Sequence, residues 1–276
     1  MKKILIPTDS LSFNEQAVDY AIKLFKNEHC DFYFLNTYNY CSNSLDALEL
    51  LHAEDEWFDE PKEDSLQKLG HLIEKFSLSN NNSKHKFYAI SECLDTIKAV
   101  EKHIEKQSID LIILSANKDK KVDKVTTSIL NHIRSCPVLF VSSNSEIFEA
   151  LEITIVSDFQ QKVNTEDLEL FNIPKLNTNV KIQVFVLGKH EGLSMSAKNN
   201  VQKFIEYLRA TLKISVIVKY IASTDVLVRY AKSHTDSIMC IIDKKPDLFR
   251  KIGLFNSNVM PTLNYLHGST VLLLHQ

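Results

Sequence analysis

The chain alternates short apolar runs with amphipathic segments, and it goes through that alternation twice. Residues 2–8, "KKILIPT", are an apolar run, and "NEQAVDYAIKLFKN" follows with Ala17, Ala21, Leu24 and Phe25 at helical spacing. "CDFYFLNTY" (30–38) and "KHKFYAIS" (84–91) read as strands, and "DTIKAVEKHIEKQ" (95–107) as a helix with Asp95 at its N-cap. "SIDLIILSA" and "CPVLFVSS" close the series as two strands around a helix near 125–134. The order then restarts with "LEITIVSD" (151–158), "KIQVFVLG" (181–188), "ISVIVKYI" (214–221), "SIMCIID" (237–243) and "TVLLLH" (270–275). The segments "SAKNNVQKFIEYLRATL" and "STDVLVRYAKSH" fit between them as helices. Strands this apolar need cover on both faces, which predicts parallel sheets between helical layers.

A strand ending in aspartate opens each series, at Asp9 and Asp158, and an apolar strand closes each. We read a divergent tandem repeat: one domain over 1–144, a second over 151–276, joined by the polar link "SSNSEIFEA". The right-handed crossover rule makes each a doubly wound α/β sandwich of about five strands. The repeats differ in detail. Between its second and third strands the first carries a long insert with the acidic, aromatic "HAEDEWFDEPKED", room for a lid. Trp57 and Phe58 there read either as local packing or as a docking tip. The first helix of the second repeat, "TEDLELFNIPKLNTN", is broken.

A length of 276 residues supports two modest cores. The apolar run after the two initial lysines is cut by Pro7 and Asp9, too short for the roughly 7–15 residues of a signal-peptide core, and no run approaches the ~18 of a membrane span. A cytoplasmic protein without a membrane role is expected. Five scattered cysteines, none in C-x-x-C spacing, predict reduced thiols instead of a disulfide framework or zinc site, and the ten histidines form no ligand pattern. No metal is expected. Residues 1–150 carry 17 basic and 24 acidic side chains, and 151–276 carry 15 and 11. Neither half is basic enough for nucleic acid, and their opposite signs favour contact between them.

Three stretches together, "KKILIPTDSLSFNEQAVDYAIKLFK", "FYFLNTY" and "SIDLIILSANK...ILNHIRSCPVLFVSS", resemble the universal stress proteins, and the repeat resembles that family's tandem form. The resemblance implies a strand order of 3-2-1-4-5 in each half. ATP-binding members of the family carry G-x-x-G-x(9)-G-[ST] after the fourth strand. Here the glycine positions fall on Ser115, Lys118 and Ser128, with Ile129 at the hydroxyl position; counting back from "CPVL" puts the last at Lys124. The second half offers Asp243, Pro246 and Asn256, followed by Ser257, the one residue that fits. A phosphate nest needs positive φ or an uncrowded backbone, which glycine supplies and lysine or proline does not. The chain has five glycines in all, and none falls at these pattern positions; Gly253 lies within the second loop, between Pro246 and Asn256. No cofactor is expected; ATP stays open but is disfavoured by these loops.

The remaining candidate is the crevice between the carboxyl ends of strands one and four. Thr8, Asp9, Ser115 and Asn117 would meet there, with Thr37 nearby; Lys118, Asp158 and Ser257 complete the candidate set. The family's pattern assigns the aspartate and the strand-two position to the adenosine part of ATP. From the residues alone, Asp9 reads equally as a carboxylate capping the start of the first helix. The lysines at 118, 120, 121 and 124, interrupted by Asp119 and Asp123, read as a solvated loop or as side-chain donors to an anion. Ser115 and Ser128 lack a histidine and acid partner, so no nucleophile is proposed, and no enzymatic activity is expected.

Two functions remain: a stress-type regulatory or interaction protein acting through protein partners, and a small-ligand or nucleotide sensor built on Asp9 and side-chain contacts. A pseudo-dimer of the two halves through their closing strands is expected, because an edge this apolar needs a partner; homodimerisation stays open.

Overall fold

The structure, a computed structural model, describes residues 1–9, 13–39, 55–115, 123–142, 145, 150–165, 168, 179–212, 215–222, 224–234, 237–243 and 270–275. Asn117, Lys118 and Ser257 lie outside the described residues, as does most of the broken helix of the second repeat.

Ten strands form one sheet: β1 (Lys2–Pro7), β2 (Cys30–Thr37), β3 (His85–Glu92), β4 (Leu111–Ser115), β5 (Val138–Val141), β6 (Ala150–Ser157), β7 (Asn179–Leu187), β8 (Val216–Ile221), β9 (Ser237–Asp243) and β10 (Thr270–His275). Their order is β3-β2-β1-β4-β5-β10-β9-β6-β7-β8. Each half therefore runs 3-2-1-4-5, as the resemblance implies. All pairings are parallel except the one joining the halves, where β5 and β10 run antiparallel. There Val138 faces Leu273, Leu139 faces Leu272 and Phe140 faces Val271. Exchanging 138–140 with 271–273 reproduces the same pairs, so the junction is self-complementary about Leu139 and Leu272, the geometry of an isologous interface within one chain. The expected union of the closing strands is what the fold contains. It removes two apolar edges at once.

Six helices cover the sheet among the described residues: α1 (Glu15–Leu24), α2 (Asp55–Ser79), α3 (Thr96–Gln107), α4 (Lys124–His132), α5 (Met195–Leu212) and α6 (Thr224–Ser233). Strand alternation divides the core between the two faces. Ile4, Ile6, Phe32 and Phe34 point to the side of α1 and α2, and Ile182 and Val184 to that of α5. Leu5, Leu35, Phe185 and Met239 point to the side of α3, α4 and α6. These side chains are essentially inaccessible, and each fully buried one of this size contributes roughly 1.5–3 kcal/mol.

The insert departs from the sequence reading. Its second part is α2, a helix of 25 residues packed on β2 and β3. Ser65, Leu69, Leu72 and Phe76 bury one stripe at helical spacing, and Phe76 stacks on Phe34 and Phe87 with centroids 5.7 and 6.1 Å apart. Residues 59–64 bury nothing fully, and Pro61 removes one helical donor there. An acidic start containing proline conceals a helix that only its apolar second part secures.

Candidate functional site

At the carboxyl end of β1 the chain alternates faces, and that alternation separates two residues that the sequence reading puts together. Thr8 turns toward α2. Its hydroxyl donates to the Leu35 carbonyl at 3.1 Å and to Asn36 Oδ1 at 3.2 Å, Asn36 donates to Ser65 Oγ at 2.9 Å, and Ser65 meets Ser91 at 2.8 Å. Asp9 turns the other way. Thr37 donates to its Oδ2, and Thr96, the first residue of α3, donates to the same oxygen at 2.6 Å. The two threonine hydroxyls lie 2.9 Å apart. Asp9 thus accepts from side chains of two other elements. The N-cap of α1 itself is Asn14, which accepts from the Gln16 N–H at 2.9 Å.

Thr96 reaches Asp9 because α3 is held at both ends of its approach. Asp95 accepts from Ile97 N–H at 3.0 Å and Lys98 N–H at 3.4 Å, which closes the helix N-terminus. Seven residues on, His103 and Lys102 grip Glu92 at the end of β3, each at 2.8 Å from Oε1. The Lys102 ammonium, partly offset by burial, and His103 hold the Glu92 carboxyl below its ordinary range. Glu92 is paired with Thr37 in the β2–β3 ladder, so the clamp and the site share one row of the sheet.

Two atoms of this region are buried with no hydrogen-bond partner among the described residues: Asp9 Oδ1 and His103 Nδ1. The first is an unfilled acceptor beside the crevice. Ser115, at the end of β4, accepts from the Asn14 N–H at 2.8 Å and so ties the start of α1 to the fourth strand. Beyond it, α4 begins with Asp123 as N-cap, accepting from the Thr126 N–H at 2.7 Å.

Among the described residues, the second half reproduces the frame without this chemistry. Following the ladders outward from the junction, Val138 leads through Ile112 to Leu5, and Val271 leads through Met239 to Thr154. Leu5 and Thr154 are therefore equivalent, and four residues on, so are Asp9 and Asp158. The same ladders put Thr37 opposite Leu187 in the comparison, and Ser115 opposite Ile242 instead of Asp243. Asp158 accepts from the Gln160 N–H at 3.0 Å, a local turn. Phe159 next to it is buried at φ +53, a left-handed conformation uncommon for a bulky residue. Its ring packs on Phe204, and Asn200 donates to its carbonyl at 3.0 Å.

Thr37 and Asp9 were legible as neighbours from strand order. Thr96, Glu92, His103 and Asp123 were not, although Asp95 as N-cap marked where α3 begins. Among the described residues no group of three His, Cys, Asp or Glu could hold a metal ion, and no helix is long and apolar enough to cross a membrane. Cys30 and Cys136 are buried, and burial pushes both thiols up to about 12, which leaves them unreactive.

The family model of the universal stress protein family matches residues 1–142. This chain belongs to the universal stress protein family. Solved structures extend the likeness across both halves as a likeness of fold. A universal stress protein from Archaeoglobus fulgidus DSM 4304 aligns with 99% of this chain and 96% of its own at 13% identity and a TM-score of 0.63. A functionally unknown protein from Pseudomonas aeruginosa PAO1 aligns with 100% and 92% at 12% identity and 0.60. The cytoplasmic domain of a prokaryotic cation chloride cotransporter aligns with 99% and 94% at 12% identity and 0.54. No curated protein sequence matches the chain.

Proposed function

We propose that this chain is a non-enzymatic regulatory protein of the universal stress type, cytoplasmic, whose output is a surface recognised by protein partners and which does not take ATP through a glycine loop. The two repeats, 1–144 and 151–276, act as one body joined at their closing strands. The observation that carries the reading is the state of the crevice: no glycine stands at any phosphate-loop position, and the Asp9 carboxylate is already engaged by Thr37 and Thr96. A ligand must displace or accommodate those two hydroxyls, and it finds no uncrowded backbone for its phosphates. No cofactor, metal or nucleophile is needed for this role.

One observation favours a second reading, a small-ligand sensor. Asp9 Oδ1 is buried and unfilled, and an unmade hydrogen bond of this kind costs about 1–3 kcal/mol that a donor on a ligand would recover. Native mass spectrometry of the freshly purified full chain separates the two. The regulatory reading expects the bare polypeptide mass; a retained small molecule that is lost in Asp9→Ala would replace it with the sensor.

A further inference from the structure

The junction of β5 and β10 closes two edges of the sheet and leaves two, β3 and β8. They are defended differently. β3 carries Lys86 and Glu92, the latter tied to Lys102 and His103, and α2 packs on it; charges of this kind keep an edge from pairing. β8 has a single charged side chain, Lys219, with no glycine and no proline. Lys219 leaves the edge open: its ammonium lies back over β7, 5.4 Å from the centroid of Phe185 and 5.8 Å from that of Tyr230 on α6. Ile217 is 54% exposed on one face of the strand and Tyr220 41% on the other. The backbone shows which groups are free. Gly188 N–H donates to the Ile221 carbonyl at 2.8 Å, and in a parallel ladder every second residue turns its N–H and C=O to the same neighbour. Ile217, Lys219 and Ile221 therefore face β7, and Val216, Val218 and Tyr220 turn their backbone groups outward, beyond the last strand in the order.

We propose that β8 is a homodimer interface, paired antiparallel with β8 of a second copy about a two-fold axis through Val218 and normal to the sheet. This strand is complementary to itself. The axis sets Val218 against Val218 and Val216 against Tyr220 in both directions, so all the outward residues fall on hydrogen-bonded pairs. On the α5 face the row is Tyr220–Val216, Val218–Val218, Val216–Tyr220, wholly apolar. On the α6 face each Ile217 lies opposite a Lys219, and no like charges meet. Moving the axis to Ile217 or Lys219 carries one outward residue past the end of its partner strand, and at Lys219 it opposes two ammonium groups. The union also continues the sheet that the β5–β10 junction already builds, by the same antiparallel geometry about a self-complementary centre. It does not depend on what the crevice at Asp9 holds.

The test is sedimentation velocity of the full chain from about 1 to 200 µM, with circular dichroism to verify that each variant is folded. Val218→Pro removes an outward N–H and leaves the ladder with β7 intact. Ile217→Lys and Ile217→Glu change only an exposed side chain. The native chain should show a monomer–dimer equilibrium within that range. Val218→Pro and Ile217→Lys should weaken it by at least about tenfold, the second because two pairs of like charges now oppose each other. Ile217→Glu, opposite Lys219, should stay within about threefold of the native chain, and Lys219→Glu added to Ile217→Lys should restore the dimer to the same extent. A chain that stays monomeric throughout, including one that pairs only with a different protein, overturns the proposal, as does growth past the dimer. A dimer indifferent to both Val218→Pro and Ile217→Lys overturns it by placing the interface elsewhere. Equal weakening by Ile217→Lys and Ile217→Glu overturns the register and with it the self-complementarity on which the proposal stands.

Discussion

Each half of the molecule has an aspartate at the carboxyl end of its first strand, and the ladders make the two equivalent; yet Asp9 gathers hydroxyls from two elements, whereas Asp158 closes its own turn. The difference lies on the next strand. Thr37 faces Asp9, while the equivalent position opposite Asp158 is Leu187, which joins the core. The second half keeps its side-chain polarity elsewhere. Glu152, Thr154 and Gln183 meet the Tyr230 hydroxyl under α6, at 2.6, 3.0 and 3.2 Å. Thr154 and Gln183 occupy the positions of Leu5 and Tyr33 in the first half, so this network lies inside the sheet, away from the crevice. The repeat preserves the frame that places an aspartate at the switch point. One neighbour decides whether that aspartate belongs to a site or to a turn.

The comparison breaks first at the junction. If one sheet unites the halves, a charge at its centre damages both, since Leu139 and Leu272 are almost fully buried and face each other. Leu139→Asp and Leu272→Asp should each cost more than about 4 kcal/mol, read as a lowered denaturant midpoint of a single transition. A cost below ~1 kcal/mol, or melting of one half with the other intact, would show that the halves stand independently.

Asp9→Ala and Asp158→Ala sharpen the contrast. The first leaves Thr37 and Thr96 without their shared acceptor and should cost roughly 1–2 kcal/mol, because two half-buried hydroxyls lose a charged partner. The second removes a turn contact worth about 0.5 kcal/mol. Urea denaturation of both variants compares them directly; the reverse order would place the polar centre in the second half.

The sequence carried the frame well because apolar periodicity is strong in every strand, and the junction was legible from "PVLFVSS" and "TVLLLH", edges too apolar to stay bare. It concealed α2, whose acidic start and Pro61 look like a loop until Leu69, Leu72 and Phe76 supply a stripe. At the site, Asp9 and Thr37 followed from strand order. Thr8 was misplaced because strand alternation sends it to the opposite face, a period-two rule available in the sequence but outweighed by its closeness to Asp9. Thr96 lies 87 positions from Asp9, and no local pattern announces a contact at that range.

A smaller effect separates the outer edges. His85, at the start of β3, is buried against Phe32, meets the Phe25 carbonyl at 3.1 Å and Asn80 at 3.1 Å, and burial holds its pKa below 6.5. The unfolded chain therefore binds the proton more readily, and the stability that the neutral ring contributes is present above about pH 6.5 and is lost as pH falls below it. Glu92, depressed by Lys102 and His103, adds a loss in the acid range, below the ordinary carboxylate pKa. The melting temperature should fall between pH 7 and 5.5, and His85→Gln should flatten that fall. An unchanged slope in the variant would assign the dependence to another group.

The measurement that tests the account most directly is the melting temperature of the full chain with and without millimolar ATP and magnesium. A ligand at about 100 times its dissociation constant stabilises by ~2.7 kcal/mol, several degrees for a chain of this size. The account predicts no shift, because no glycine stands at the phosphate-loop positions of either half and Asp9 already accepts from Thr37 and Thr96. A clear shift that Asp9→Ala abolishes would contradict it and make the first half a nucleotide sensor; a shift that survives Asp9→Ala would contradict it equally and move the binding site to the half that contains Asp158.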